Sequence, residues 1–155
     1  MLFRSFGGDY ELIPTSIGSV GSGPVPLPKE VTTLSGDAEH LTVGALNVEN
    51  LDPTDSQAKF DALAANIVTN LGAPDIVGLE EVQDADGAGS GTNYSGQPTA
   101  DKLIAAIKAA GGPTYVYVEV APTGNNQNGG ESNGNIRQGY LYNPDRVGFV
   151  SVSQI

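Results

Sequence analysis

The sequence predicts an α+β domain over residues 40–155. Apolar segments of strand length alternate with amphipathic helical segments from residue 40 onward, which gives the order strand, helix, strand, helix. Further strand-like segments then follow without a helix between them. A stretch rich in Pro and Gly precedes the first of these segments and indicates a boundary. We therefore expect residues 1–20 to end a small preceding β domain and residues 21–39 to form a linker.

The composition limits the classes of function that the chain can have. Its 155 residues are 39% apolar, which is enough for one domain with a core. The net charge of -11 argues against a simple electrostatic nucleic-acid binder, so a phosphodiester substrate would need divalent cations. There is no Cys for disulfides or thiolate metal sites, and no apolar run is long enough to span a membrane. The sequence shows no signal peptide, although few Lys among many Gly, Asn, Thr and Ser are typical of a secreted parent.

The N-terminal elements are short. Apolar residues at Phe3, Phe6, Tyr10 and Leu12 predict a small strand pair that cannot bury its own apolar face. Residues 21–28 alternate Gly, Ser and Pro, which favours an extended linker.

Two helices are predicted after the first strand of the domain. The first begins at a capping cluster, residues 54–56, and ends at Gly72. Its apolar positions recur at helical spacing: Phe60, Leu63, Ala64, Ile67, Val68 and Leu71. The second covers residues 99–110 and ends at the Gly-Gly-Pro of residues 111–113. Its predicted buried residues are Leu103, Ile104 and Ile107.

The C-terminal part is predicted to be β-structure. Residues 115–120 alternate as a strand, and a polar loop follows at residues 123–135. Residues 136–142 and 146–152 are predicted to form a hairpin around an Asn-Pro-Asp turn.

Carboxylates at the ends of two predicted strands are the strongest indication of chemistry. Residues 75–84 form a buried strand that ends in Glu80 and Glu81. The strand upstream delivers Asn47 and Glu49 in the same way. Carboxylate and amide oxygens at the C-terminal ends of strands suit a hard cation such as Mg²⁺ and its phosphate substrate. The alternative is a solvated strand terminus without a ligand.

Other polar residues have simpler interpretations. Asp52, Asp84 and Asp86 are expected to serve as turn and cap residues. Arg137 could form a forked contact with a phosphate, or it could pair with a neighbouring acid. His40 is the only histidine, and a structural or idle role is expected for it. No Walker-type loop and no Ser/His nucleophile pair can be assembled.

Three segments in order resemble the endonuclease/exonuclease/phosphatase superfamily, the fold of deoxyribonuclease I. They are LNVENL at 46–51, PDIVGLEEVQD at 74–84 and GNIRQGYLYNPDRV at 134–147. The sequence is most similar to secreted bacterial extracellular nucleases of that family, in which a segment like FGGDYELIPT at 6–15 leads into the catalytic domain. The resemblance covers most of residues 5–150.

The resemblance implies a fold, a chemistry and a set of roles. The fold would be a four-layer αββα sandwich, and the reaction a metal-assisted phosphodiester hydrolysis. Glu81 matches the metal-binding glutamate, and Asn47 matches the catalytic asparagine near the metal and the scissile phosphate. Glu49 would support the metal, and Arg137 lies in a strand that borders the substrate groove. The implied cofactor is Mg²⁺, with Mn²⁺ or Ca²⁺ as alternatives.

The resemblance also implies that further parts of the catalytic domain lie outside this chain. The family's general-base histidine, its Asp-x-Asn element and its Ser-Asp-His-type motif have no counterpart here. A complete domain needs roughly 250 residues, so residues 40–155 are expected to be its N-terminal half. One apolar sheet face would then be uncovered, and the isolated chain would be inactive.

The expected function of the parent is a secreted nuclease that acts on DNA and also, as an option, on RNA. A phosphatase or phospholipid phosphodiesterase of the same superfamily is the first alternative. A non-catalytic surface or matrix interaction module is the second.

Overall fold

The structure is a computed structural model that describes residues 2–6, 9–13, 28–127 and 131–151. The first two ranges form an antiparallel pair of strands, β1 (Leu2–Phe6) and β2 (Asp9–Ile13). The strand pair expected from the N-terminal sequence is therefore confirmed.

A four-stranded sheet organises the rest of the described chain. Its strands are β3 (Val43–Leu51), β4 (Ile76–Val82), β5 (Val116–Glu119) and β6 (Arg137–Tyr142), in the spatial order β3-β4-β6-β5. β3 and β4 are parallel, because a helical crossover connects them, and the other two pairs are antiparallel. The mixed α+β class is thus confirmed.

Two α-helices accompany the sheet. α1 (Gln57–Ala65) begins where predicted, with the Ser56 hydroxyl accepting a hydrogen bond from the Lys59 N–H at 3.3 Å. One turn of π-helix (Asn66–Asn70) continues it. α2 (Gln97–Ala109) begins two residues earlier than predicted, because Pro98 fits within a first helical turn. None of the helices in the described ranges has the length and hydropathy of a membrane span.

The linker segment before the sheet is attached to the end of the first helical unit. Residues 28–39 contain no helix or strand. The Lys29 ammonium donates to Asn66 Oδ1 at 2.8 Å, and the Thr32 N–H donates to the Asn70 carbonyl at 2.9 Å. The turn of π-helix therefore supplies the attachment points.

The core lies between the two helices and one face of the sheet. Its largest apolar members are Val48, Leu51, Phe60, Ile67, Val77, Leu79, Leu103, Ile107 and Leu141. Leu103 and Ile107 are buried as predicted, whereas Ile104 is only partly buried at the edge of the cluster. β6 passes so close to Tyr117 that a Cβ at Gly139 would lie 2.3 Å from that ring. The interior is therefore closely packed.

The opposite face of the sheet is only partly covered within the described residues, at the end where Phe149 stacks on Tyr142. Val43 is 71% exposed, Tyr140 49% and Val116 38%, and all three lie on strands of the sheet. Alternation along β3, β5 and β6 places these residues opposite the buried positions. The open apolar face expected from the sequence is present.

The predicted C-terminal hairpin is wrong over the described residues. The turn at residues 143–146 forms, with the Arg146 N–H donating to the Asn143 carbonyl at 3.0 Å, but residues 147–151 form no strand. β6 already has β4 on one side and β5 on the other, so no edge is left for a returning strand. Phe149 instead stacks on Tyr142 with ring centroids 6.0 Å apart.

Asp75 ties the N-terminal end of β4 to its neighbours. Its carboxylate accepts from the Arg146 Nε at 2.8 Å and from the Thr42 N–H at 2.8 Å. The Arg146 hydrogen bond, followed by the Thr42 N–H, holds the pKa of this carboxyl below its ordinary value of 3.8. The contact fixes the segment after β6 against the start of β3.

We expect the contact between Asp75 and Arg146 to make the free energy of unfolding depend on pH. Because the folded pKa of Asp75 is depressed, its contribution to the free energy of unfolding is complete above the unfolded pKa and is lost as pH falls through the folded pKa. Urea unfolding, measured between neutral pH and about pH 3, should show that the free energy of unfolding falls less on acidification in Arg146→Met than in the wild type. Lys108→Met, an exposed helix substitution, is the control. An equal loss in Arg146→Met and the wild type would contradict the assignment.

The open face should make the isolated chain self-associate. Apolar sheet surfaces of this kind are normally covered, and a second copy is the partner always present in solution. Light scattering should show dimers or larger species, and Tyr140→Lys should shift them towards monomer. Lys108→Ala, which alters an exposed helix position, should leave the distribution unchanged. A monodisperse wild-type monomer with a cooperative melt would refute this expectation.

Candidate functional site

Polar side chains meet at the C-terminal ends of β3 and β4. The two strands are parallel, so these ends lie at the same edge of the sheet. The Cα of Asn47 is paired with that of Glu80, and both residues are exposed. Glu81 follows at once and is half-buried. The structure thus brings together the polar ends that the sequence predicts to converge.

Left-handed backbone marks the same place on both strands. Glu49 has φ 56°, Asn50 has φ 54° and Glu81 has φ 63°. Glycine and asparagine populate this region readily, whereas glutamate seldom does. Strand pairing is interrupted there, between Asn47 and Leu51 on β3 and between Leu79 and Val82 on β4. Two irregularities of the β-bulge type therefore lie side by side.

The left-handed residues keep carboxylates out of the core. Val77 and Leu79 face the helices and are 0% and 1% exposed. Strict alternation would direct Glu81 to the same buried face. The bulge at Glu81 shifts the alternation by one residue, so Val82 enters the core instead at 1% exposure. Glu80 and Glu81 can therefore follow each other without either one being buried among apolar side chains.

Side chains hold the Glu49 peptide from both directions. The Asn47 Oδ1 accepts from the Glu49 N–H at 2.8 Å, and the Lys59 ammonium donates to the Glu49 carbonyl at 2.7 Å. The Asn47 amide can still offer a ligand its N–H₂ group and the second lone pair of Oδ1. The N–H₂ group suits a phosphate oxygen, and the oxygen suits a metal ion or a metal-bound water.

The acids at this edge fit one kind of metal site. The carboxylates of Glu49, Glu80 and Glu81 are hard oxygen groups of the type that Mg²⁺ binds. Within the described ranges, no group of three or more His, Asp or Glu side chains is already arranged around a metal position. Mg²⁺ commonly uses only one or two carboxylates and keeps several waters for substrate phosphate. The residues present fit that mode of binding.

Arg137 is buried on the helix-covered face, away from Asn47 and Glu80. Its side chain is 2% exposed and pairs with Glu119 at 3.1 Å. Its Nε and Nη2 donate to the Asn135 carbonyl at 3.0 and 2.6 Å, and Nη1 donates to the Tyr94 carbonyl. The pairing with an acid that was the alternative interpretation is therefore observed. A phosphate contact would have to replace these bonds.

Glu119 is the residue that sequence reasoning missed. Its carboxylate accepts from the Gly96 N–H at 2.9 Å, at the start of α2, and from the Ser95 hydroxyl at 2.9 Å. The Tyr117 hydroxyl donates to it at 3.1 Å. The signal was present in the alternation of β5, which directs Tyr117 and Glu119 to one face. An acid at an inward position indicates a buried cationic partner.

The aspartates and the histidine have the structural roles expected for them. Asp52 accepts from the Thr54 N–H at 2.6 Å, Asp84 from the Asp86 N–H at 3.2 Å, and Asp86 from the Gly91 N–H at 2.7 Å. Burial raises the pKa of Asp84 above its ordinary value. His40 precedes β3, at the opposite end from Asn47, and its Nδ1 lies 2.8 Å from Asp37 Oδ1.

Comparison with models of protein families, with curated proteins and with solved structures finds no match to this chain.

Substitution by glycine should change the free energy of unfolding in opposite directions at Glu81 and at Glu80. Glu81→Gly relieves the left-handed strain, so we expect the free energy of unfolding to rise by about 1 kcal/mol. Glu80→Gly is the matched control at a residue without positive φ, and there glycine should lower the same quantity by about 1 kcal/mol because of its entropy. Urea denaturation measures both. Equal destabilisation by the two substitutions would show that the Glu81 backbone carries no strain.

Proposed function

We propose that this chain contributes the metal- and phosphate-binding edge of a divalent-cation-dependent phosphodiester hydrolase, with DNA as the substrate. The observation that carries the proposal is the strained backbone at Glu49 and Glu81 on adjacent strands. Strain of this kind persists where the surrounding structure enforces it, and it concentrates at sites of function. Here it occurs at two glutamates that lie at the same edge of the sheet as Asn47.

The chain's own residues take distinct parts. Glu81 would hold the cation, with Glu49 in support. Asn47 would donate its amide N–H to a phosphate oxygen, while its Oδ1 accepts from the Glu49 N–H. A bound divalent cation supplies charge neutralisation at the phosphate and a water of lowered pKa. In a chain of net charge -11, that cation is also what allows a polyanion to approach.

The proposed reaction needs groups beyond these residues. A general base must lie within hydrogen-bond reach of the attacking water. His40 is the only histidine and lies at the opposite strand end. The resemblance implies that the general-base histidine lies further along the same domain, in which a second sheet packs against the first. We propose that this second sheet packs on the open apolar face and completes a four-layer sandwich in a secreted parent.

Cation binding tests the proposal in its simplest form. Titration of the chain with Mn²⁺, followed by the electron paramagnetic resonance of the free ion, should give saturable binding. Glu81→Gln should weaken it by about tenfold. Asp101→Asn is the control, because it removes the same charge from an exposed position on α2. Equal affinities in the two variants would contradict the proposed site.

Substrate class is tested on the longer parent protein. Supercoiled plasmid should be nicked in the presence of Mg²⁺, and Glu81→Gln should abolish nicking. Cleavage of inositol phosphates or sphingomyelin with the plasmid left intact would move the substrate away from nucleic acid.

The open sheet face favours a second candidate, a non-catalytic interaction module. In that case Tyr140→Lys would abolish binding to the partner, and Glu81→Gln would leave that binding unchanged.

A further inference from the structure

Lys59 has a place in the site that the family resemblance does not provide. It lies on α1, and its ammonium contacts the Glu49 carbonyl at 2.7 Å and the Asp55 carboxylate at 2.8 Å. The side chain is 28% exposed, so the ammonium lies at the surface rather than in the core. The contact with Glu49 reaches the carbonyl of a left-handed residue, which would otherwise face solvent.

The Asp55 carboxylate extends this contact along the chain. Its Oδ2 also accepts from the Asp52 N–H at 3.1 Å, so one ammonium connects the end of β3 with the loop that leads into α1. The other side of the Glu49 peptide is bonded to Asn47. The left-handed conformation of Glu49 is thus fixed at its N–H by Asn47 and at its carbonyl by Lys59.

We propose that Lys59 is a positioning residue for the cation site. Its hydrogen bond keeps Glu49 left-handed, and this holds the Glu49 carboxylate and the Asn47 amide at the edge where Glu81 lies. The inference rests on the proposed function for the identity of the ligand. The backbone geometry that it explains is independent of any ligand.

The charge of Lys59 makes the proposal testable, because lost charge and lost positioning would change the cation affinity in opposite directions. An ammonium near a cation site repels the cation, so removing it should tighten cation binding if charge alone matters. Removing a group that positions the ligands should weaken binding, typically by tenfold or more. The two effects are opposite, so weaker binding by a variant that remains folded indicates lost positioning.

Lys102 provides a matched control. Its ammonium donates to the Pro53 carbonyl at 3.0 Å and to the Asp55 carbonyl at 2.7 Å, and it lies 4.3 Å from the centroid of the Phe60 ring. It therefore supports the same loop from α2 with the same charge. It makes no contact with the Glu49 peptide.

The experiment compares Lys59→Met, Lys59→Arg and Lys102→Met in the full chain with Mn²⁺ as the probe. We expect Lys59→Met to bind Mn²⁺ about tenfold more weakly and Lys59→Arg to restore part of the affinity. Lys102→Met should lower the melting temperature but bind Mn²⁺ at least as well as the wild type. Unchanged or tighter binding by Lys59→Met would overturn the proposal.

Hydrogen exchange gives a readout that needs no metal. The Glu49 amide should exchange about tenfold faster in Lys59→Met than in the wild type, and at the wild-type rate in Lys102→Met. An unchanged Glu49 rate in Lys59→Met overturns the positioning role, whatever the metal result. Faster exchange in Lys59→Met, together with no Mn²⁺ binding by the wild type, would instead overturn the proposed function and leave the backbone contact established.

Discussion

The shift of side-chain alternation at Glu81 is the constraint on which the rest of the sheet edge depends. Two consecutive carboxylates follow a buried strand, and a regular strand would bury one of them without a cation at a cost of several kcal/mol. A left-handed residue costs about 1–3 kcal/mol, so the bulge is the less costly arrangement. It returns Val82 to the core, where β4 resumes pairing with Leu51 on one side and Arg137 on the other.

Cationic side chains hold the segments next to the two bulges. On the β3 side, Lys59 binds the Glu49 carbonyl, and on the β6 side the Arg137 guanidinium binds the Tyr94 and Asn135 carbonyls together with Glu119. The chain has only 7 Lys and Arg residues against 18 Asp and Glu. These cations bind loop carbonyls instead of forming a basic surface, so the phosphate substrate that we propose would depend on a bound metal ion for its attraction.

Local sequence signals predicted the elements that depend on residues close by in the chain. They failed for features that the order of strands in the sheet determines. The Ser56 cap and the apolar spacing after it located α1. The polar residues that the sequence places at the ends of β3 and β4 lie at one edge of the sheet because the two strands are parallel. The hairpin after β6 was wrong because residues 116–119, far upstream, already occupy that edge. The left-handed backbone of Glu81 had no signal, since glutamate is not a residue that such positions select. The burial of Arg137 depends on a carboxylate from another strand, which the local sequence does not specify.

Anomalous diffraction from crystals of the chain soaked in Mn²⁺ would show whether a divalent cation binds at this strained edge through Glu81, as we propose. We expect a peak within about 2.2 Å of a Glu81 carboxylate oxygen, in the coordination range of Mg²⁺-type sites. A peak at the Asp84 and Asp86 loop instead, or none near Glu81 in a soaked crystal that binds Mn²⁺ elsewhere, would contradict it.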